Sequence, residues 1–111
     1  MAASLDYSKL IKQILLEHTR FKPAYGDIDT TVSFDDEHAN YVLLQSGWDG
    51  DSYLQGAIVH AQIIDGKIWI HYDGTEEGVA TELIEMGVPK SQIVLGFKHP
   101  SKRQYTGLAV A

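Results

Sequence analysis

A chain of 111 residues that is 44% hydrophobic makes one domain, residues 1–111, large enough to bury a core without staples. It has no cysteine, which removes disulfides and thiolate chemistry, and no apolar run long enough to span a bilayer, so a cytoplasmic, non-membrane protein is expected. The net charge of −6 is uneven: residues 27–85 hold 13 acids and one base, Lys67, so the body repels phosphate and direct DNA contact is not expected.

Residues 5–21 predict an amphipathic helix. Tyr7, Leu10, Ile11, Ile14, Leu15 and His18 recur at helical spacing, and Phe21 extends the stripe. Ser4 or Asp6 can cap its start, and Lys22-Pro23 ends it. After a connector at 24–27, β-branched residues predict a strand over 29–35, an acidic turn at Asp36-Glu37-His38 and a second strand over 40–48. The acidic run Asp35-Asp36-Glu37 at this turn lacks the alternating spacing of a calcium loop. Trp48-Asp49-Gly50-Asp51 predicts a turn into a third strand, 52–64, where Gly56 suggests a bulge or a close contact. A fourth strand follows at 67–72, completing an antiparallel meander.

The third and fourth strands meet at Asp65-Gly66, a two-residue turn whose register can be computed. Ile64 pairs with Lys67, Ile63 with Ile68, and His60 with His71. One face is then apolar (Val59, Ala61, Ile63, Ile68, Ile70, Tyr72). The other is mixed (Ile58, His60, Gln62, Trp69, His71, Asp73). Thr75 predicts the N-cap of a second helix, with Glu76 and Glu77 in its first turn and Val79, Leu83 and Met86, with Ala80 and Ile84, along its buried stripe. Gly87 and Pro89 stop it, and 93–97 predicts a short buried strand. The last fourteen residues are basic, then small and apolar. They either close the sheet edge or project toward a partner. The fold class is therefore α+β.

Chemistry is sparse. Directly opposed His60 and His71 could share a metal, with Asp73 as third ligand, but no HxH or HExxH spacing supports it. Asp65-Gly66-Lys67 formally matches half of a nuclease motif, yet a hairpin turn explains it. The glycines around Thr75 lack the lysine of a phosphate loop, and two glutamates there would repel phosphate. No catalytic constellation is present, so neither an enzyme nor a cofactor is expected. The better lead is contact with protein. Trp48, Trp69, His60, Gln62 and His71 make a face with few charges, unless one of the helices covers it. Lys98, Lys102 and Arg103, with Tyr105 beyond them, form the densest positive cluster, suited to an acidic surface of another copy.

Several runs in fixed order carry a family resemblance. They are Tyr25-Gly26-Asp27, Gly47-Trp48-Asp49-Gly50, Asp65-Gly66-Lys67-Ile68-Trp69-Ile70, Asp73-Gly74-Thr75-Glu76, Val88-Pro89-Lys90, Ile93-Val94-Leu95-Gly96-Phe97, Tyr105-Thr106 and Ala109-Val110-Ala111. With these the chain resembles the XisI-like family, the fdxN-element excision controlling factors of cyanobacteria. Gly107-Leu108 departs from the family pattern, which carries an acidic residue and an aromatic there, and this leaves the packing of the tail open. The resemblance implies a small α+β domain that assists programmed excision of a DNA element through an XisH-like companion, while a separate recombinase does the chemistry. It implies no catalytic residues. A homodimer, an inhibitor or antitoxin-like partner of a nuclease-fold protein, and a weak DNA-binding factor using the basic C-terminal segment are the other readings.

Overall fold

The structure is a computed structural model that describes residues 5–20 and 27–111. The first helix, α1, spans Tyr7–His18, and the extended Asp6 caps it by accepting from the Lys9 N–H. Ile11, Ile14 and Leu15 are its buried stripe. Helix α1 is shorter than the expected 5–21. Ser4, Phe21, the Lys22-Pro23 stop and the connector through Gly26 lie outside the described residues.

Five strands form one sheet in sequential order: β1 (Asp27–Asp35), β2 (Asn40–Asp49), β3 (Ser52–Ile64), β4 (Lys67–Asp73) and β5 (Ile93–Leu95). The first four are the expected antiparallel meander. Strand β5 runs parallel to β4, as a crossover through a helix requires. That helix, α2, spans Val79–Glu85 and ends in Gly87 at φ +101°, with the Val88 N–H on the Leu83 carbonyl and the Gly87 N–H on that of Ile84. Among the described residues no helix is long and apolar enough to cross a membrane.

Both helices lie on one face of the sheet. Ile11, Ile14 and Leu15 of α1 and Val79 and Leu83 of α2 pack on Tyr41, Leu43, Val59, Ala61, Ile68, Ile70 and Ile93. Strand alternation puts all these sheet residues on the same side, so an arrangement with one helix per face does not occur. The opposite face is covered by neither of these helices. Its outward positions are Asp27, Asp29, Thr31, Ser33 and Asp35 on β1 and Asn40, Val42, Leu44, Ser46 and Trp48 on β2, as pairing with β3 and β4 requires. The edge strand β1 sits tightly on the far end of β2. A Cβ on Gly47 would stand 2.1 Å from the Asp27 carbonyl oxygen.

Two bulges correct the expected register. Between β2 and β3, Leu43 pairs with Val59 but Leu44 with Ala57, so Ile58 is the extra residue rather than Gly56. Ile58 consequently turns toward the core cluster instead of joining the mixed face. Between β3 and β4 the turn is as computed, with Asp65 and Gly66 both at positive φ (+50° and +78°). Pairing holds as far as Ala61–Ile70. It then slips, so that His60 opposes Tyr72 and Val59 opposes Asp73.

Beyond β5 the chain forms a short unforeseen helix, α3 (Pro100–Arg103), and then returns to the edge. There Ala109 bridges Val94, its N–H donating to the Ile93 carbonyl at 2.9 Å. The tail thus closes the sheet edge through one bridge. Leu108, at the position that departs from the family pattern, packs against the core.

Candidate functional site

The slip between β3 and β4 builds the site. His71 is the extra residue, so it shares the face opposite α1 and α2 with its neighbour Tyr72, which is 52% exposed rather than buried on the apolar face. The pleat is then out of phase by one. Asp73 moves to the helix side, where its carboxylate accepts from the Val79 N–H at 2.7 Å and from the Thr75 N–H and hydroxyl at 2.9 and 2.6 Å. Asp73, and not Thr75, therefore caps α2, which starts at Val79. Thr75 supports the loop by accepting from the Gly78 N–H at 3.1 Å. Glu76 and Glu77 precede the helix.

His60 and His71 still meet although their backbones are not opposed. Their ring centroids are 4.8 Å apart at 47°. Each imidazole is held from its own side, His60 Nε2 by Asn40 Oδ1 at 2.6 Å and His71 Nε2 by Gln62 Oε1 at 3.0 Å. The Nε2 atoms thus point at two different amides rather than one shared point. With Asp73 on the helix side, the metal set of His60, His71 and Asp73 does not assemble. Burial, and then the charge of His60, hold the His71 pKa below its ordinary 6.5.

The row continues across β4. Trp69 stacks beside His71 at 6.3 Å between centroids, and the Arg103 guanidinium lies 5.0 Å above the Trp69 ring. Arg103 also donates to three carbonyls of its own segment: Lys98 at 3.1 Å, Gly96 at 3.4 Å and Val110 at 3.5 Å. It is a clamp that pins the C-terminal segment over β4. Trp69 is correspondingly half-buried. Gly96 allows this crossing, since a Cβ there would stand 3.2 Å from both His71 Nδ1 and Trp69 Cε3. Its N–H donates to the Ile70 carbonyl at 2.7 Å.

Of the residues singled out from sequence, His60, Gln62, Trp69, His71 and Arg103 form one continuous row. Trp48 does not join it. It stands 55% exposed at the far end of the β2–β3 hairpin, edge-on to Tyr53 at 5.0 Å. Lys98, Lys102 and Tyr105 line the C-terminal ridge, Tyr105 being 78% exposed. Sequence reasoning missed Tyr53, which register from the Gly50-Asp51 loop would have set opposite Trp48. It also missed Asn40, Val42 and Leu44, which strand alternation places on the same side.

The acidic turn is structural. Lys12 Nζ meets Asp36 at 2.7 Å and the Tyr41 hydroxyl donates to it at 2.9 Å, which together hold its carboxyl below the usual range. His38 does the same for Asp35. A cleft of about 320 Å³ between α1 and α2 is lined by Glu17, Glu82 and Glu85. Among the described residues no group of three His, Asp or Glu could hold a metal.

A family model described as XisI protein matches residues 1–110. The chain belongs to the XisI family. Its fold matches the crystal structure of a XisI-like protein from Anabaena variabilis ATCC 29413, with 36% identity, a TM-score of 0.85, and 95% of this chain and 96% of that one covered. It also matches the fdxN element excision controlling factor XisI from the same organism, at 34% identity and a TM-score of 0.79 with the same coverage. No curated protein matches. The XisI fold thus comprises the N-terminal helix, the antiparallel meander, the second helix and the short fifth strand.

Proposed function

We propose that this protein is a non-enzymatic controlling factor for excision of a DNA element, acting in the cytoplasm through protein contacts with an XisH-like companion. The observation that carries this reading is likeness at 34% identity, over 95% of the chain, to a protein named as an fdxN element excision controlling factor. Two features of the surface support protein rather than DNA as the immediate partner. Over β2 to β4 the face opposite α1 and α2 presents aromatics and amide-paired histidines, with its outward carboxylates on β1. In the basic segment, Arg103 is spent on its own carbonyls, which leaves Lys98 and Lys102 as a thin phosphate-binding patch.

The test is co-purification from a host that encodes an XisH-like protein, with tagged chain as bait. The companion is expected to elute with it and to survive nuclease treatment. A chain that captures no such companion, but binds the recombination site with a steep salt dependence lost on neutralising Lys98 and Lys102, overturns the reading.

A further inference from the structure

We propose that the outer edge of β1 takes up an extended segment of another protein as a sixth, antiparallel strand, one that alternates apolar with basic side chains. This goes beyond the excision reading and does not depend on it.

The two edges of the sheet are finished differently. The β5 edge is three residues long, and the returning tail closes it at Ala109. The β1 edge is nine residues long, keeps an unbroken register with β2, and contains neither proline nor lysine. Short length, bulges, proline and lysine are the devices that usually keep an edge from pairing with another chain. The direction of the β1 backbone groups follows from the ladder. The Ile63 N–H donates to the Ala39 carbonyl at 3.0 Å, so odd residues of β2 turn their N–H and C=O groups to β3 and even ones turn theirs to β1. Pairing of Asn40 with Asp35 and of Trp48 with Asp27 then leaves the N–H and C=O groups of Ile28, Thr30, Val32 and Phe34 pointing away from the sheet. None of these groups has a partner among the described residues. Such a row of donors and acceptors at alternate residues is the template for an added strand.

Side chains set the kind of strand. The same four residues face the helix side, where Val32 and Phe34 are half-buried against the core, so residues opposite them in an added strand sit beside an apolar rim. Lys12 Nζ lies 5.9 Å from the Phe34 ring, which disfavours a base in that row. The other row of β1 begins at Asp27, opposite Trp48. At that end Asp27, Asp49 and Asp51 are exposed and make no ion pair among the described residues. A basic side chain on the added strand answers them. A second copy of this chain does not. The longest antiparallel pairing of two β1 edges sets Asp27 of each copy opposite Asp35 of the other, carboxylate on carboxylate.

The probe is a peptide of the length of β1 that alternates valine and lysine, titrated against the full chain by NMR up to about 1 mM. Binding is expected. The amides of Thr30, Val32 and Phe34 should gain about tenfold or more in protection from hydrogen exchange, while those of Thr31 and Ser33, which face β2, should change little. N-methylation of the peptide's valines, whose amides face β1, should abolish binding, and N-methylation of its lysines should spare it. Thr30→Pro removes an outward donor without touching the β2 ladder, and should abolish binding with circular dichroism unchanged. A peptide with glutamate for lysine should bind about tenfold more weakly or worse, and should regain affinity on Asp27→Lys. No binding at about 1 mM, N-methylation that acts alike at valine and lysine, or a Thr30→Pro chain that binds like the wild type overturns the proposal. So does a wild-type dimer that Thr30→Pro dissolves, which would give the edge to a second copy. The companion pull-down reads the excision hypothesis separately, since a companion can bind elsewhere on the chain and a strand can be taken up without a companion.

Discussion

On the covered face of the sheet Tyr41, Leu43, Val59, Ala61, Ile68 and Ile70 are no more than 1% exposed, while on the other face Trp48, Tyr53 and Tyr72 stand more than half exposed. The same strands supply both sets by alternation. The difference lies in what finishes each face. Two helices seal the first with aliphatic side chains. The second is finished only along one edge, by a short ridge held down through Arg103 on Trp69 and one bridge at Ala109. Burial is therefore concentrated on one side of the sheet and the exposed aromatics on the other.

Truncation should separate the faces most sharply. Leu83→Ala removes a fully buried side chain of α2 and should cost about 2–5 kcal/mol in urea unfolding, whereas Tyr53→Ala should stay within about 0.5 kcal/mol. Equal losses would mean that the outer face also carries the fold. Asp73 lies where the faces exchange a residue. Asp73→Ala should cost about 1–2 kcal/mol through the loss of the Val79 cap, while Thr75→Ala should cost less. If Thr75→Ala is the worse of the two, the cap is misassigned.

The elements themselves were legible because each has a local cause. Alternating apolar residues marked the strands, Asp65-Gly66 fixed a tight turn, and the helical stripe from Tyr7 to Leu15 marked α1. The errors share one origin. Register computed from a turn holds only until an extra residue intervenes, and nothing in Val59-His60-Ala61 or Ile70-His71-Tyr72 signals one. The bulge goes with a distant contact, since it swings Asp73 under the first turn of α2. The face a residue of β4 occupies is thus tied to the capping of α2. The intramolecular role of Arg103 was hidden for a similar reason. Its charge marked it as a contact residue, but Gly96 lets the chain cross close enough to β4 for that charge to be used at home.

The finish of the open edge should be weaker and separable. Gly96→Ala forces Trp69 and His71 to yield to a methyl group and should cost about 1–3 kcal/mol. Arg103→Ala should cost about 1 kcal/mol, the scale of a partly buried cation–π contact. Arg103→Lys should not rescue it, since an ammonium cannot reach three carbonyls at once. Both losses should redden Trp69 emission, read in a Trp48→Phe background. Emission that stays put in both would place the ridge elsewhere.

The smallest effect should come from the histidine pair. Burial and the neighbouring His60 hold the folded His71 pKa below 6.5, so the unfolded chain takes up that proton first as the solution is acidified. Stability from this group is full above about 6.5, declines as pH falls from there toward the folded value, and levels off below it. The slope is positive in pH, opposite to that of a histidine stabilised by a carboxylate. The informative quantity is the difference between the wild-type chain and His71→Gln, in which the contributions of all other groups cancel. The difference should vanish in slope above neutrality and grow on acidification. A flat difference, or one of opposite sign, would mean that the imidazole is as accessible to protons in the fold as out of it, and that the row from Asn40 to Trp69 is not packed closely enough to exclude water.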